Sequence, residues 1–384
     1  MPCCLRPCRG RWLLSGLVFL SLLCVCSRVS HPASPQARHS AATAFDRNRM
    51  LEHLARRVMW PTYAELATAT QALPPLATQF CAALSMGHLT TLQQAWKLAV
   101  APLKRSEAFR LGPGVLLVSA VDFWPTRPSL IEKVLGNPQP ITEEFIELAG
   151  AAARGVSAIE YLLFDPDGGN PAIIAQFRDG LKGKRRCAYL LGLSKHLAQQ
   201  AQLVENAWNP SRGNFVTELA QAGQSSTTYP IVHTAISDVV NRLLAAAEKL
   251  HKHKLGRPLH GSGRSPWPES VEAWRSENSL TNMIENLQGL YAVYTGFDGT
   301  TDGLGFDDLL TALGSPLAAR ITQQMQTAIA AVQAIPPPLR RAVVQHPQAV
   351  TAAYDAIKVL LILLKVDMTN VLGVTVDFGD IDGD

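Results

Sequence analysis

The amino-acid sequence predicts an all-α fold built from antiparallel helical bundles. Nine segments are rich in Ala, Leu, Gln and Glu, and their apolar residues recur at intervals of three and four, the period of a helix. Breaks that contain glycine and proline separate these segments. Strand-like runs are scarce, and only 115–121 and 373–378 qualify. The helical period therefore decides the predicted fold class.

The predicted helices follow one another along most of the chain. Their ranges are 50–59, 64–83, 90–103, 142–164, 172–205, 231–253, 279–294, 317–334 and 349–371. A polar break near 211–229 divides them into two halves of similar length. We therefore expect an N-terminal bundle over 45–215 and a C-terminal bundle over 225–384.

Residues 1–30 predict a secretory signal segment. They contain four arginines and no acidic residue, and the 15-residue run 12–26 is uncharged and almost wholly apolar. A basic start before a short apolar run is typical of export signals, whereas a membrane span needs about 20 apolar residues. The alternatives are an uncleaved anchor and a lipid-carrying cysteine at Cys24 or Cys26. Residues 31–44 predict a flexible lead-in. The expected location is periplasmic, with membrane attachment only through the signal or a lipid anchor.

Composition and charge exclude two classes of protein. With 384 residues, 47% of them hydrophobic and 17% charged, the chain is too apolar for intrinsic disorder and long enough for a sizeable core. The net charge of +4 comes from the export segment, because four of the 35 basic residues and none of the 31 acidic residues lie in 1–30. The rest of the chain is neutral, so nucleic acid is not an expected partner.

Five of the seven cysteines also lie in the segment 1–30, which leaves Cys81 and Cys187. In an oxidising compartment these two cysteines can form a disulfide, and they can equally be two buried thiols. The sequence leaves both alternatives open.

Glu160 is the first candidate functional residue, because it shares an apolar helix face with Val156, Ile159 and Leu163. A carboxylate on such a face is costly unless it is paired, hydrogen-bonded or bound to a metal. Ser157 lies one helical turn before it, so the hydroxyl and the carboxylate can converge. Glu160 is therefore either a buried group satisfied within the fold or a carboxylate that binds a metal or another ligand.

Two further groups are weaker candidates. Asp122 and Trp124 lie in an Asp-Phe-Trp-Pro turn, where they can line a pocket or anchor the end of a bundle. Arg275 precedes a predicted helix whose Ser279 can cap it or face the junction of the two halves. The basic run 251–254 predicts a solvated helix end. A nucleophile elbow, phosphate loop, dinucleotide fingerprint and EF-hand are all missing from the sequence, so nothing in it supports a serine or cysteine hydrolase.

The segment Gly155-Val156-Ser157-Ala158-Ile159-Glu160 resembles the GxHxxE motif of the imelysin-like family, which includes iron-regulated protein A and the helical domain of EfeO-type iron-uptake proteins. The glycine and the glutamate match, and Ser157 stands where the family has histidine. Other stretches resemble the family in the same order along the chain. They are 109–113, 122–125, 274–290 and the residues from 372 to the C-terminus.

This resemblance implies two related bundles with the motif helix near their junction, in an exported or surface-tethered protein linked to iron uptake. The ligand-binding residues it suggests are Gly155, Ser157, Glu160, Asp122, Trp124 and Arg275, with Glu160 as the metal ligand. Part of the family carries a peptidase label that rests on the motif histidine and glutamate as metal ligands. Ser157 removes the imidazole, which disfavours zinc hydrolysis and favours a hard, oxygen-preferring ion such as Fe3+.

The expected function is therefore binding of iron, or of an envelope component of iron uptake. A metallopeptidase-like enzyme and a non-catalytic structural or adaptor protein are the alternatives.

Overall fold

Every regular element is a helix in the computed structural model of this protein, which describes residues 45–261 and 265–377. The predicted all-α fold is therefore confirmed. The predicted signal segment 1–30 and the predicted lead-in 31–44 lie outside the described residues. No helix of the described part combines the length and the apolar character needed to cross a bilayer.

The first part of the chain forms helices up to residue 220. They are α1 (Arg47–His53), α2 (Trp60–Gln71), α3 (Leu73–Ala82), α4 (Met86–Arg105), α5 (Leu116–Ala120), α6 (Pro128–Gly136), α7 (Glu143–Leu148), α8 (Gly155–Leu163), α9 (Gly169–Arg178), α10 (Gly180–Trp208) and α11 (Phe215–Ala220). Short polar residues begin several of them. The Ser85 hydroxyl, for example, accepts a hydrogen bond from the backbone N–H of His88 at 3.2 Å and caps α4.

The second part begins after the polar break. Its helices are α12 (Val232–Glu248), α13 (Arg257–His260), α14 (Ser279–Thr295), α15 (Phe306–Ala312), α16 (Leu317–Gln333), α17 (Leu339–Gln345), α18 (Pro347–Ile362) and α19 (Thr369–Leu372). Three segments of π-helix join consecutive helices without a break. They are Leu54–Met59, Lys249–Gly256 and Leu363–Met368. A π-helical segment often marks a functional region, and the second of these contributes side chains to the site below.

Helix α4 lies at the centre of the packing, because it contacts α2 and α3 on one side and α14 on the other. Its buried face consists of Leu89, Leu92, Trp96, Ala99, Val100 and Leu103, at the spacing of one helical stripe. The stripe ends in a charged residue, Lys104, which is 2% exposed. Helices of both predicted halves thus meet at α4, and the division into two related bundles stays a prediction.

Glycines interrupt two of the predicted helices. The range 142–164 contains α7, a 3₁₀ turn and α8, because Gly150 and Gly155 adopt φ angles of 80° and 74° that end one helix and start the next. The range 172–205 is divided between α9 and α10 at Gly180, whose φ is 47°. Apolar spacing alone continues across such glycines, so it overestimates helix length.

The strand candidate 115–121 is wrong, since this region forms a 3₁₀ turn and α5. A strand needs a partner for its backbone N–H and C=O groups, and the described chain contains no other strand to supply one. The second candidate has no regular structure over 373–377, and its last residue lies outside the described part.

Cys81 and Cys187 form a disulfide that joins the end of α3 to α10, with a Cα–Cα distance of 5.7 Å. The sequence left their pairing open. The bond closes a loop over a sequence separation of 106 residues, so it removes considerable conformational freedom from the unfolded chain.

We expect the double variant Cys81→Ser/Cys187→Ser to lose about 4 kcal/mol of unfolding free energy, because a disulfide that closes a loop of this length restricts the unfolded state by about that much. Urea unfolding followed by circular dichroism measures the loss. Reductant should produce the same loss in the parent protein and none in the variant. A parent unfolding midpoint that does not change with reductant would show that the cross-link contributes nothing.

Candidate functional site

The motif helix α8 begins at a glycine for a steric reason. Gly155 has a φ of 74°, and a side chain here would collide with the carbonyl group of Val121. The neighbouring N–H of Val156 donates to that same carbonyl oxygen at 2.8 Å. The motif glycine therefore allows α8 to start directly against the segment that carries Asp122.

Ser157 and Glu160 do not hydrogen-bond to each other, although their spacing suggested that they could converge. The Ser157 hydroxyl donates to the backbone carbonyl of Phe123 at 2.7 Å. The Glu160 carboxylate instead contacts Ser276, in the loop before α14. The two motif side chains therefore hold two different loops, one from each half of the chain.

Glu160 is 3% exposed and is held through one of its two oxygens. Its Oε1 accepts hydrogen bonds from the backbone N–H of Ser276 at 2.9 Å and from the Ser276 hydroxyl at 2.8 Å. Burial raises the pKa of Glu160, and these two hydrogen bonds oppose the increase. Oε2 accepts no hydrogen bond from the residues that the structure describes. One carboxylate oxygen therefore stays available to a ligand.

The loop that contacts Glu160 runs from Val271 to Asn278 and has an unusual backbone; we call it the 271–278 loop. Ala273 and Glu277 have φ angles of 51° and 55°, in the left-handed region that non-glycine residues rarely adopt. The N–H of Asn278 bonds to the carbonyl of Ala273 at 3.2 Å and closes the loop. Backbone strain of this kind is concentrated at ligand sites and catalytic sites, where the surrounding structure maintains it.

Arg275 projects from the 271–278 loop into a stack of aromatic rings. Its guanidinium lies 5.2 Å from the ring centre of Tyr161 and 4.2 Å from that of Trp274. Arg340 lies 4.4 Å from the same tryptophan ring. Burial lowers the pKa of Arg275, and the charge of Glu160 opposes that decrease. Among the described residues, no hydrogen-bond acceptor or ion-pair partner is bound to this guanidinium.

Trp124 lies in the loop that contains Asp122 and Phe123 and is held by Ser157. The guanidinium of Arg257 is 5.7 Å from the Trp124 ring. In the same loop, Arg127 lies 5.9 Å from the ring of Phe123. Both loops thus carry an aromatic side chain stacked with arginine. The sequence also predicted Asp122 as a ligand-binding residue beside Trp124, but its side chain is buried in the interior.

A group of charged side chains is buried beneath the two loops, and we call it the Lys104 cluster. Its members are Lys104, Glu107, Arg110, Asp122, Lys254 and Glu272, each between 1% and 8% exposed. Lys104 lies in α4, Glu107 in the 3₁₀ turn Ser106–Phe109, and Arg110 directly after that turn. Asp122 lies in the loop that carries Trp124, Lys254 in the second π-helical segment, and Glu272 in the 271–278 loop. The cluster therefore joins residues 104–110 and the Asp122 loop, in the first half of the chain, to two segments of the second half.

The ammonium group of Lys104 lies at the centre of this cluster. It donates to Asp122 Oδ1 at 2.7 Å, Glu272 Oε1 at 2.8 Å and Glu107 Oε1 at 3.1 Å. Burial alone would lower the pKa of Lys104, but the three carboxylates outweigh it and raise the pKa well above its ordinary value. Lys104 is therefore charged throughout the physiological range.

The remaining cations complete the pairing. Lys254 lies 3.0 Å from both Glu107 Oε1 and Glu272 Oε2, and Arg110 donates to Asp122 Oδ2 at 2.6 Å. Burial would raise the pKa of Asp122, but Lys104 and Arg110 together hold it below its ordinary value. Both oxygens of Asp122 are thus occupied by internal ion pairs.

The cluster does not fit a metal ion, although its carboxylates have a suggestive spacing. Oxygens of Glu107, Asp122 and Glu272 lie within 4.8 Å of one another, as metal ligands do. Three ammonium groups, those of Lys104, Lys249 and Lys254, and the Arg110 guanidinium already pair with these carboxylates at 2.6–3.1 Å, so the negative charge that a cation would need is compensated. Glu160 is not part of any group of three His, Cys, Asp or Glu side chains with such spacing within the described residues.

The Lys104 cluster was not predicted from the sequence. Lys254 belongs to the basic run 251–254, for which we expected a solvated helix end, and it is 1% exposed instead. The one local indication that Lys104 is buried is its position, because it follows Leu103 at the end of the apolar stripe of α4. Glu107 lies three residues after it, but its other two carboxylate partners are 18 and 168 residues away, so the sequence near Lys104 shows only part of its charge compensation.

We expect Lys104→Met to lower the unfolding free energy by about 3–5 kcal/mol at pH 7, because removing one partner of a buried ion cluster leaves uncompensated charge behind. The loss should shrink as the pH falls. Burial would raise the pKa values of Asp122 and Glu272, and Lys104 is the main charge that lowers them. The stability that comes from a lowered carboxylate pKa is lost on acidification. Urea unfolding at pH 7 and near pH 4 measures both effects.

Lys182→Met is the matched control, because the Lys182 side chain is 84% exposed and its nearest carboxylate is 4.0 Å away. It should change the unfolding free energy by less than about 0.5 kcal/mol. Equal losses in the two variants would contradict the central role of Lys104.

Both the sequence and the fold of this chain are similar to those of known proteins. The Imelysin family model matches residues 59–364. Iron-regulated protein A of Synechococcus elongatus is 25% identical over 299 residues, which cover 76% of this chain and 77% of that protein. The fold is similar to two crystal structures. One is a protein described as an iron-regulated protein A precursor from Parabacteroides distasonis, with a TM-score of 0.72, 20% identity, and coverage of 84% of this chain and 94% of that one. The other is an imelysin-like protein from Psychrobacter arcticum, with a TM-score of 0.65, 19% identity, and coverage of 86% of this chain and 97% of that one. This chain belongs to the imelysin family.

Proposed function

We propose that the protein acts in iron uptake at the cell envelope by binding iron that other ligands already hold, with Glu160 as its own contribution to the metal. Its similarity to iron-regulated protein A supports a role related to iron. The iron would arrive on a small chelator or on an envelope component of the uptake system. This is a binding function and requires no catalytic step.

The proposal rests on one observation. The Glu160 carboxylate and the neighbouring Arg275 guanidinium make fewer hydrogen bonds with the described residues than such charged groups can make. Glu160 Oε2 accepts no hydrogen bond from the described residues, and the neighbouring Arg275 guanidinium donates none to them. A buried or half-buried charged group in this condition loses free energy that a ligand can restore. The strained 271–278 loop presents both groups, and strain there agrees with a binding role.

Glu160 offers a single carboxylate, which explains why we propose iron with other ligands attached. A bare hard cation takes about six oxygen ligands, and Glu160 has no partner carboxylates at metal spacing in the described part of the chain. A chelated iron needs only one or two further ligands. Arg275 can bind a carboxylate of the chelator through its planar pair of N–H donors.

The envelope location is supported by two observations. The Cys81–Cys187 disulfide is typical of proteins in oxidising compartments. The sequence also begins with a segment that has the pattern of an export signal. We propose a periplasmic location, with attachment to the membrane only through the signal or a lipid anchor.

The metallopeptidase alternative has less support. Ser157 stands where the family motif has histidine, and its hydroxyl is bonded to the Phe123 carbonyl. A zinc hydrolase requires imidazole or carboxylate ligands that leave one position open for water. The adaptor alternative, in which Glu160 only closes a polar contact with Ser276, is separated from the proposal by experiment.

We expect ferric nitrilotriacetate to bind the protein in a 1:1 ratio, and Glu160→Gln to weaken that binding by about tenfold or more, as expected for the loss of one charged contact. Isothermal titration calorimetry measures both. The glutamine Oε1 still accepts both Ser276 hydrogen bonds, so the loop keeps its anchor. Folding raises the pKa of Glu160, so the carboxylate destabilises the protein once the pH exceeds that pKa. The variant should therefore be at least as stable as the parent at pH 7.

Glu269→Gln is the matched control, since it removes an exposed carboxylate near the same loop and should leave binding unchanged. Zn2+ alone should bind neither form, and casein should remain uncleaved. Unchanged binding in Glu160→Gln would refute the proposal. Casein cleavage that this variant loses would favour the metallopeptidase, and the absence of both binding and cleavage would favour the adaptor.

A further inference from the structure

A cavity lies away from the motif helix, between α2, α14, α16 and the turn after α14. Its volume is about 500 Å³, and we call it the α2–α14 cavity. Its apolar walls are formed by Val58, Pro61, Tyr291, Ala292, Phe297 and Ile329. None of its lining residues belongs to the motif or to the Lys104 cluster.

Two aromatic rings form part of the apolar wall. The rings of Tyr291 and Phe297 meet edge to face, with their centres 6.2 Å apart, and they form one side of the cavity. Pro61 of α2 and Ile329 of α16 come from two other helices that line it. A cavity of this volume is within the range that holds small molecules and is too small for a protein segment of any length.

Two arginines at the cavity are positioned by carboxylates. Arg105 is held between Glu65 at 2.5 Å and Glu285 at 2.6 Å. Arg57 uses one terminal nitrogen, which lies 3.0 Å from Asp298 Oδ2. The other oxygen of Asp298 is already bonded by Thr300 and Thr301, so Asp298 serves to orient Arg57.

The two carboxylates that line the cavity, Glu65 and Asp298, are each paired with an arginine, whereas Arg57 keeps free hydrogen-bond donors. Arg57 has four N–H groups beyond the one that faces Asp298. The Tyr291 hydroxyl and the Gln288 amide also line the cavity, and neither hydrogen-bonds to another residue of the described chain. A ligand that complements these groups carries acceptors, and a negative charge on it would pair with Arg57.

We infer that the α2–α14 cavity is a binding site for a small molecule with a flat apolar body and an anionic, acceptor-rich head group. The body lies between the Tyr291–Phe297 pair and the side chains of α2 and α16. The head group lies at Arg57. This site is independent of the proposed iron function, since it shares no residue with Glu160 or the 271–278 loop.

Two dyes that differ in one group test the inference on the purified protein. They are 1-anilinonaphthalene-8-sulfonate, which has an aromatic body and a sulfonate, and N-phenyl-1-naphthylamine, which has the same body without the sulfonate. We expect saturable 1:1 binding of the sulfonate dye, measured by its fluorescence. Ala292→Trp fills the cavity and should weaken the binding of both dyes by about tenfold or more, since it occupies the space of the body.

Ala330→Trp is the control, because Ala330 is exposed on α16 next to Ile329 and does not line the cavity. It should leave both affinities unchanged. Ile329→Trp narrows the cavity from the opposite helix and should repeat the effect of Ala292→Trp, which guards against a folding defect in either variant. Arg57→Gln should weaken the sulfonate dye by about threefold to tenfold and leave the uncharged dye unchanged.

Binding that is not saturable, or that Ala292→Trp and Ile329→Trp do not weaken, would overturn the inference of a cavity site. Equal effects of Arg57→Gln on the two dyes would overturn the anionic head group.

Discussion

The ammonium group of Lys104, with three carboxylates around it, is the contact on which the arrangement of the site depends. Asp122 belongs to the loop that carries Trp124, Glu272 belongs to the 271–278 loop, and Glu107 follows α4 itself. A cation in the interior needs such partners, because its desolvation is not offset in any other way. The two loops are therefore held at fixed positions relative to α4. Lys249, Lys254 and Arg110 pair with the same carboxylates and compensate their charge, which disfavours a metal ion in this interior group.

The motif helix α8 also holds these two loops. Ser157 binds the backbone of the first loop and Glu160 binds Ser276 in the second. A serine in place of the family's histidine is suited to this task, since a hydroxyl donates one hydrogen bond to a carbonyl and offers no strong ligand to zinc. What remains for a ligand is Glu160 Oε2 and the stacked guanidinium of Arg275. These groups suit recognition of a charged complex, and they favour binding over hydrolysis.

Much of the fold was predictable, because helical periodicity is a local property that fourteen or so residues are enough to show. Glu160 was also predictable, since a carboxylate on an apolar stripe is visible in the sequence. Helix ends at Gly150, Gly155 and Gly180 were not, because the positive φ of these glycines depends on the neighbouring chain. For the same reason the burial of Lys254 was missed: a basic run looks solvated until its distant carboxylates are in place.

The sequence by itself determined the all-helical class, the family resemblance and the identity of the central motif carboxylate, since each of these depends on residues close together in the chain. The tertiary structure decided the partners. Only the packing of α4 against α14 and the loops brings Lys104 to Glu272, Glu160 to Ser276 and Cys81 to Cys187. The physical reason is that burial and charge compensation are set by which distant segments meet, and one chain without its contacts does not contain that information.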